Sequence, residues 1–333
     1  KYPLTSSDNP VPVVIDERLG WTDTNQGKFA DEFGESLAST DDKVYIATGE
    51  TNWNGTQYAA GAGSVRIYPG NYTPSLVNNI IDVWNPDYNM SGSYSNPSGL
   101  GDNFGRGVQV SGDLLAVGVK IYGGVNSSYN SQGMVSLRDS ATGQERYRLY
   151  SPANHNNQLF GAKGGTITGS TDTVGPIGLD RNSNYLAVGA VSSDGTGVSD
   201  KGIVYVYSLP AGTISNSNSP TLIWTINNPV YDSGTVTGFG KAVQIRGDYL
   251  FISGKYDANA PHPGVFIYKI STQQFVQRVT KPSSIDAPSP ANWGSFFQVS
   301  EDGEWLAIPT YSFQTTGYGA DVDNVYIFRN TSN

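Results

Sequence analysis

The chain has 333 residues, 20 Lys and Arg against 29 Asp and Glu, a net charge of −9 and only 15% charged side chains. That acidity, without any basic run, argues against a nucleic-acid or anionic-membrane partner, because phosphate binding needs clustered Lys and Arg; no apolar stretch is long enough to span a bilayer. Cysteine is absent and the two histidines are His155 and His262, which leaves no disulfide framework, thiolate site or zinc cluster.

Abundant glycine and tyrosine (40 and 21 residues) suit short strands joined by many turns. The chain opens at Lys1, not at Met, as a processed, truncated or excised segment would. Its first strand-like run is Val11-Pro12-Val13-Val14-Ile15.

Five repeat units follow, opening at Phe33-Gly34, Phe104-Gly105, Phe160-Gly161, Phe239-Gly240 and Trp293-Gly294. After each pair an apolar, alternating stretch predicts a strand, a. In the third unit a Gly- and Thr-rich insertion delays strand a to Ile177-Gly178-Leu179. A tight polar turn leads to strand b: Val44–Gly49, Leu114–Gly118, Tyr185–Gly189, Tyr249–Gly254 and Trp305–Ile308. Strand c opens on Gly or Asn and ends on an aromatic or Leu, as in 63–68, 133–137, 202–207, 264–268 and 324–328. Strand d is amphipathic: Leu76–Val83, Gln144–Tyr150, Thr221–Asn227 and Gln273–Thr280.

A unit of this kind cannot bury its apolar faces alone, so the copies must stack. The last one has no room for a strand d, whereas residues 11–15 are a strand without a unit. The reading is an all-β, five-bladed β-propeller of four-stranded antiparallel blades in one domain spanning 1–333. Blades fall at about 33–83, 104–150, 160–227, 239–280 and 293–328, and strand 11–15 completes the last one and removes its open edge.

The Phe-Gly openings, the Ser-Gly-Asp-Leu-Leu-Ala-Val-Gly run at 111–118 and the Gly-Ile-Val-Tyr-Val-Tyr strand at 202–207 resemble the FG-GAP repeats also found in integrin α-subunits. The resemblance covers Val11 to Phe328 and implies a rigid extracellular, cell-surface or virion-surface scaffold that presents loops, without implying one reaction. Two departures stand out: integrin-like heads have seven blades, and their calcium loops are replaced here by tight turns. Asp180-Arg181-Asn182-Ser183-Asn184 has oxygen side chains at alternate positions, but Tyr185 stands at the turn glycine and no late acid follows. The calcium motif is incomplete, and no cofactor is expected.

Among possible sites, Arg246-Gly247-Asp248 spells an adhesive tripeptide but aligns with the ordinary a–b turn Ser111-Gly112-Asp113. Gln109, Gln244 and Gln298 occupy one position of strand a and face the central channel; they suit hydrogen bonding with one another and with nearby backbone, or contact with a sugar or peptide. No pair of inner-strand acids fits a glycosidase, since Glu35 is the only acid near the axis.

The b–c and d–a loops carry the richest chemistry: Trp53, Tyr58, Trp84, Tyr88, Tyr122, Tyr129, Tyr256, Tyr311 and Tyr318 sit among Asn, Gly and Ser. Flat rings beside adaptable polar groups suit recognition of a glycan, a protein surface or another copy of the chain. The leading expectation is a non-enzymatic binding or adhesion module. Alternatives are a structural subunit of a phage, virus or extracellular filament, and a glycoside hydrolase or lyase.

Overall fold

Short alternating apolar runs cut by Gly-containing turns build strands, and every regular element among the described residues is a β-strand. The structure is a computed structural model. It describes residues 36, 38, 48–50, 64–67, 81–84, 104–119, 133–153, 159–162, 176–191, 202–229, 239–254, 264–280, 293–294, 296–310 and 324–329.

The strands form five antiparallel sheets in chain order. The first holds β1 (Thr48–Glu50), β2 (Ser64–Ile67) and β3 (Ile81–Trp84). In the second, β4 (Phe104–Ser111), β5 (Leu114–Val119), β6 (Met134–Asp139) and β7 (Glu145–Tyr150) lie side by side. The third has β8 (Ile177–Asp180), β9 (Tyr185–Ala190), β10 (Ile203–Ser208) and β11 (Thr221–Asn227). The fourth has β12 (Val243–Arg246), β13 (Tyr249–Gly254), β14 (Gly264–Lys269) and β15 (Gln274–Thr280). The fifth comprises β16 (Gln298–Val299), β17 (Trp305–Thr310) and β18 (Asn324–Arg329). In the second, third and fourth sheets strands a to d of the repeat are neighbours in one four-stranded meander, whereas among the described residues the first sheet holds only strands b to d and the fifth only strands a to c. The third repeat enters its sheet at Ile177 as the insertion implies.

Turn chemistry fixes the register. Arg246 pairs with Tyr249 across a two-residue hairpin whose first central residue, Gly247, has φ 58°. A two-residue hairpin of this kind favours glycine there because a side chain resists positive φ.

The sheets stack face to face, as propeller blades do, and the alternation of each strand divides its side chains between two neighbours. Leu115 and Val117 face the first sheet, packing with Val65 and Ile67. Leu114 and Ala116, one residue out of phase, face the third sheet with Ile177, Leu186 and Val188. The same pattern joins the third to the fourth sheet through Val204, Val206, Val243 and Ile252, and the fourth to the fifth through Val265, Ile267, Phe297 and Ile308.

The aromatic-Gly pair is the joint of this stack. Its ring packs on strand c of its own sheet: Phe160 on Tyr205, Phe239 on Phe266, and Trp293 on Tyr326 at 5.1 Å between centroids. Its glycine touches the sheet before. A Cβ on Gly118 would overlap the Gly161 carbonyl oxygen, and one on Gly189 would overlap that of Gly240. Gly161 itself has φ 72° and donates its N–H to Gly189 O at 2.9 Å. The motif pairs a large ring with no side chain because one wall must be filled while the other admits bare backbone.

Candidate functional site

The strand ends that flank the b–c and d–a connections lie at one end of each sheet, because every sheet is the same antiparallel meander. Of the nine loop aromatics expected to carry recognition, Trp84 is the last residue of β3, its backbone paired with Ser64. It extends strand d by one residue, where the sequence had placed it in the following loop. Trp53, Tyr58, Tyr88, Tyr122, Tyr129, Tyr256, Tyr311 and Tyr318 lie outside the described residues, as do Glu35 and residues 11–15.

The inner-strand glutamines divide by sheet. Gln244, 9% exposed, donates through Nε2 to Gln298 Oε1 at 3.0 Å and accepts the Val299 N–H at 2.8 Å. This amide link joins the fourth sheet to the fifth. Gln109 is half-buried on β4, opposite Ala116. The third sheet has Gly178 at this position, and a Cβ there would come within 3.2 Å of Gln244 Cα. A side chain at this position would require β12 to give by a few tenths of an ångström, so β8 and β12 approach closely here.

At the opposite end, the a–b turns are tied to one another across sheets. Arg181 N–H donates to Ser111 Oγ at 2.9 Å, and Gly247 N–H donates to Asp180 Oδ2 at 2.9 Å. Arg246 Nε donates to Ser300 O at 3.2 Å and Nη1 to Ile245 O at 2.9 Å. Asp248 accepts the Ser271 N–H and hydroxyl at 2.7 and 2.5 Å. All three residues of the Arg-Gly-Asp tripeptide thus hold the turn and its neighbours in place.

The calcium-like stretch is used in the same way. Asp180 Oδ1 accepts the N–H groups of Asn182 and Ser183 at 2.9 and 3.3 Å, and Asn184 Oδ1 accepts from Arg181 Nη1 at 3.2 Å. A guanidinium thus donates to an oxygen that a cation would need. Among the described residues no group of three or more His, Cys, Asp or Glu is placed to hold a metal ion.

One charged cluster at this end was not foreseen. Arg146 donates to Asp113 Oδ2 and Asp139 Oδ2, each at 2.6 Å, while Arg181 Nε donates to Asp113 Oδ1 at 3.2 Å and its Nη1 to Pro210 O at 2.9 Å. Burial alone would raise the Asp113 carboxyl, but the hydrogen bonds and charges of Arg146 and Arg181 outweigh it and hold it below its ordinary value. For Asp139, burial is likewise outweighed by the Thr142 N–H and hydroxyl and by Arg146. Both are ionised at neutral pH and serve as anchors. Spacing conceals this cluster, because Asp113, Arg146 and Arg181 come from three separate hairpins.

Deeper in the second sheet, Arg138 is buried and its guanidinium is pushed down to about 10 by desolvation, which Glu145 partly offsets. It donates to Ser136 Oγ and Gly143 O and lies 5.2 Å from the centre of the Phe104 ring.

No protein-family model matches this chain, and no curated protein matches it. Among solved structures it is similar to putative TolB from Agrobacterium tumefaciens, at 11% identity over 86% of this chain and 73% of that one, with a TM-score of 0.43. BamB from Moraxella catarrhalis is 10% identical over 82% of this chain and 60% of its own, with a TM-score of 0.37. The β-propeller domain of the Trilobed protease from Pyrococcus furiosus is 9% identical over 68% of this chain, with a TM-score of 0.37; the chain spans 54% of that protein's length. Among the described residues no helix is long and apolar enough to cross a membrane.

Proposed function

We propose that this chain is a non-enzymatic binding module, a five-bladed FG-GAP-type propeller closed by residues 11–15 and displayed outside the cell or on a particle surface. It recognises a glycan or a protein surface through the connections at the b–c and d–a end. The observation that supports this reading is the difference between the two ends of the sheet stack. At the a–b end, short turns are bonded from sheet to sheet, as by Gly247 to Asp180 and Arg246 to Ser300. The other end receives the long connections in which Trp53, Tyr58, Tyr122, Tyr129, Tyr256, Tyr311 and Tyr318 occur. Loops anchored on a rigid frame bind at a small cost in ordering entropy.

Replacing Trp53 and Tyr318 together with Ala tests this. On an immobilised panel of oligosaccharides and surface proteins, the unaltered chain is expected to bind at least one member. The double variant should lose that binding by tenfold or more at an unchanged melting temperature. A matching fall in melting temperature would assign the two rings to the core and end the binding-face reading.

A further inference from the structure

Strand d forms one edge of each four-stranded sheet, as β7, β11 and β15, and its three copies carry the same irregularity. The ladder between c and d skips one residue at an equivalent place in each: Arg146 on β7, Ile223 on β11 and Val276 on β15. What stands at the skipped position differs. Arg146 reaches Asp113 and Asp139, and Glu145 and Arg148 add further charges to β7. The Ile223 carbonyl on β11 accepts from Gln273 Nε2, in the turn before β15, at 2.9 Å. Val276 is 48% exposed and its neighbour Phe275 is 53% exposed. Charges and covering groups keep an edge strand from pairing with another chain. β15 has a single charge, Arg278, and no proline across its seven residues.

This edge is also complementary to itself. Phe275 pairs with Tyr268 and Arg278 with Phe266, two residues apart on β14, so ring and cation share one face of the sheet. The Phe275 ring lies 5.4 Å from Tyr268 and 6.5 Å from Phe266, and the Arg278 guanidinium sits 5.9 Å from the centre of the same Phe266 ring. Two β15 strands can align antiparallel about a two-fold axis with Phe275 of each opposite Arg278 of the other. Each cation then meets an exposed ring, and no like charges stand directly across. We infer that β15 is the docking edge for β15 of a second copy of this chain, giving a two-fold dimer with one sheet continuous across both copies. One strand per copy is a small contact between chains of net charge −9, so the dimer is reversible and strengthened by salt, which screens the repulsion. The contact lies on the outer edge of the fourth sheet, apart from the b–c and d–a end, and does not depend on the loop-binding reading.

Sedimentation velocity over a concentration series tests this. The unaltered chain is expected to show a monomer–dimer equilibrium, which Val276→Lys should weaken tenfold or more at an unchanged melting temperature. Because the chain has no cysteine, Phe275→Cys and Arg278→Cys chains can be mixed and oxidised, and the mixed disulfide should outweigh either homodimer. A dimer indifferent to Val276→Lys would overturn the inference by placing the contact elsewhere, and homodimers as the main disulfide products would overturn the pairing register. A monomer at every concentration would overturn it as well, and the thiol of Val276→Cys then shows what occupies the edge. Reaction at the rate seen in urea means an open strand, left to an extended partner of another sequence. Protection in the monomer means that another segment of the same chain covers it.

Discussion

Arg181, at the turn of the third sheet, bonds Asp113 at the turn of the second: Nε lies 3.2 Å from Oδ1 while Arg146 holds Oδ2 at 2.6 Å. The carboxylate is shared between its own sheet and the next. Such a clamp fixes the angle between two blades at their a–b end, where no long loop intervenes.

The clamp has a pH signature. The Asp113 and Asp139 carboxyls are held below the ordinary value of about 3.9, so the unfolded chain takes up their protons first as pH falls. Their stabilisation is full above the unfolded value and is lost as pH drops through the folded one. Arg146→Ala should lower the melting temperature at pH 7, and the gap from the unaltered protein should narrow steadily below about pH 4. A gap that stays constant from pH 7 to pH 2.5 in calorimetry would mean that Arg146 acts through packing alone.

Gly189→Ala should cost more than Gly247→Ala. The first puts a methyl group onto the Gly240 carbonyl oxygen, whereas the second meets nothing within 4 Å and incurs only the strain of φ 58°. Overpacking costs about 1–3 kcal/mol or more, and positive φ about 1–2 kcal/mol. Urea midpoints of the two variants would decide; equal shifts would refute the wedge contact between neighbouring sheets.

Gln244→Ala removes an amide that bonds both Gln298 and the Val299 N–H. Leaving a buried N–H without its partner costs about 1–3 kcal/mol. Gln109→Ala, at a half-buried position, should change stability by less than about 0.5 kcal/mol. If both substitutions left stability untouched while abolishing binding to the oligosaccharide panel, the glutamines would be ligand contacts and not braces.

Arg246→Ala should lower stability by about 1–2 kcal/mol, since its bonds to Ser300 O and Ile245 O are lost. The intact protein should not compete with an Arg-Gly-Asp peptide in an integrin adhesion assay. Inhibition by the native fold, abolished in Arg246→Ala without loss of stability, would reinstate the adhesive reading.

Strand order and sheet membership were readable in the repeats, because alternation at period two and a Gly-Asp turn are local properties that need no partner. Strand c at Ile203–Ser208 and the delayed strand a at Ile177–Asp180 were identified in this way. The boundary of β3 was missed by one residue at Trp84, because the pairing partner Ser64 lies 20 positions upstream. The Arg-Gly-Asp string aligned with an ordinary a–b turn, and the Asp-x-Asn-x-Asn string lacked the turn glycine and late acid of a calcium loop. Their side chains proved to be committed to turns from neighbouring sheets.

By itself, the sequence determined that the described parts of this protein are made of strands and which of those strands share a sheet. Hydrogen-bond geometry and side-chain alternation act over a few residues and leave their period in the chain. Tertiary structure alone decided that Gly118 must be bare because Gly161 lies against it, and that Arg181 and Arg146 share Asp113. Each of these depends on which residue of a neighbouring sheet arrives at a given point. Stacking sets that distance, and no spacing along the chain encodes it.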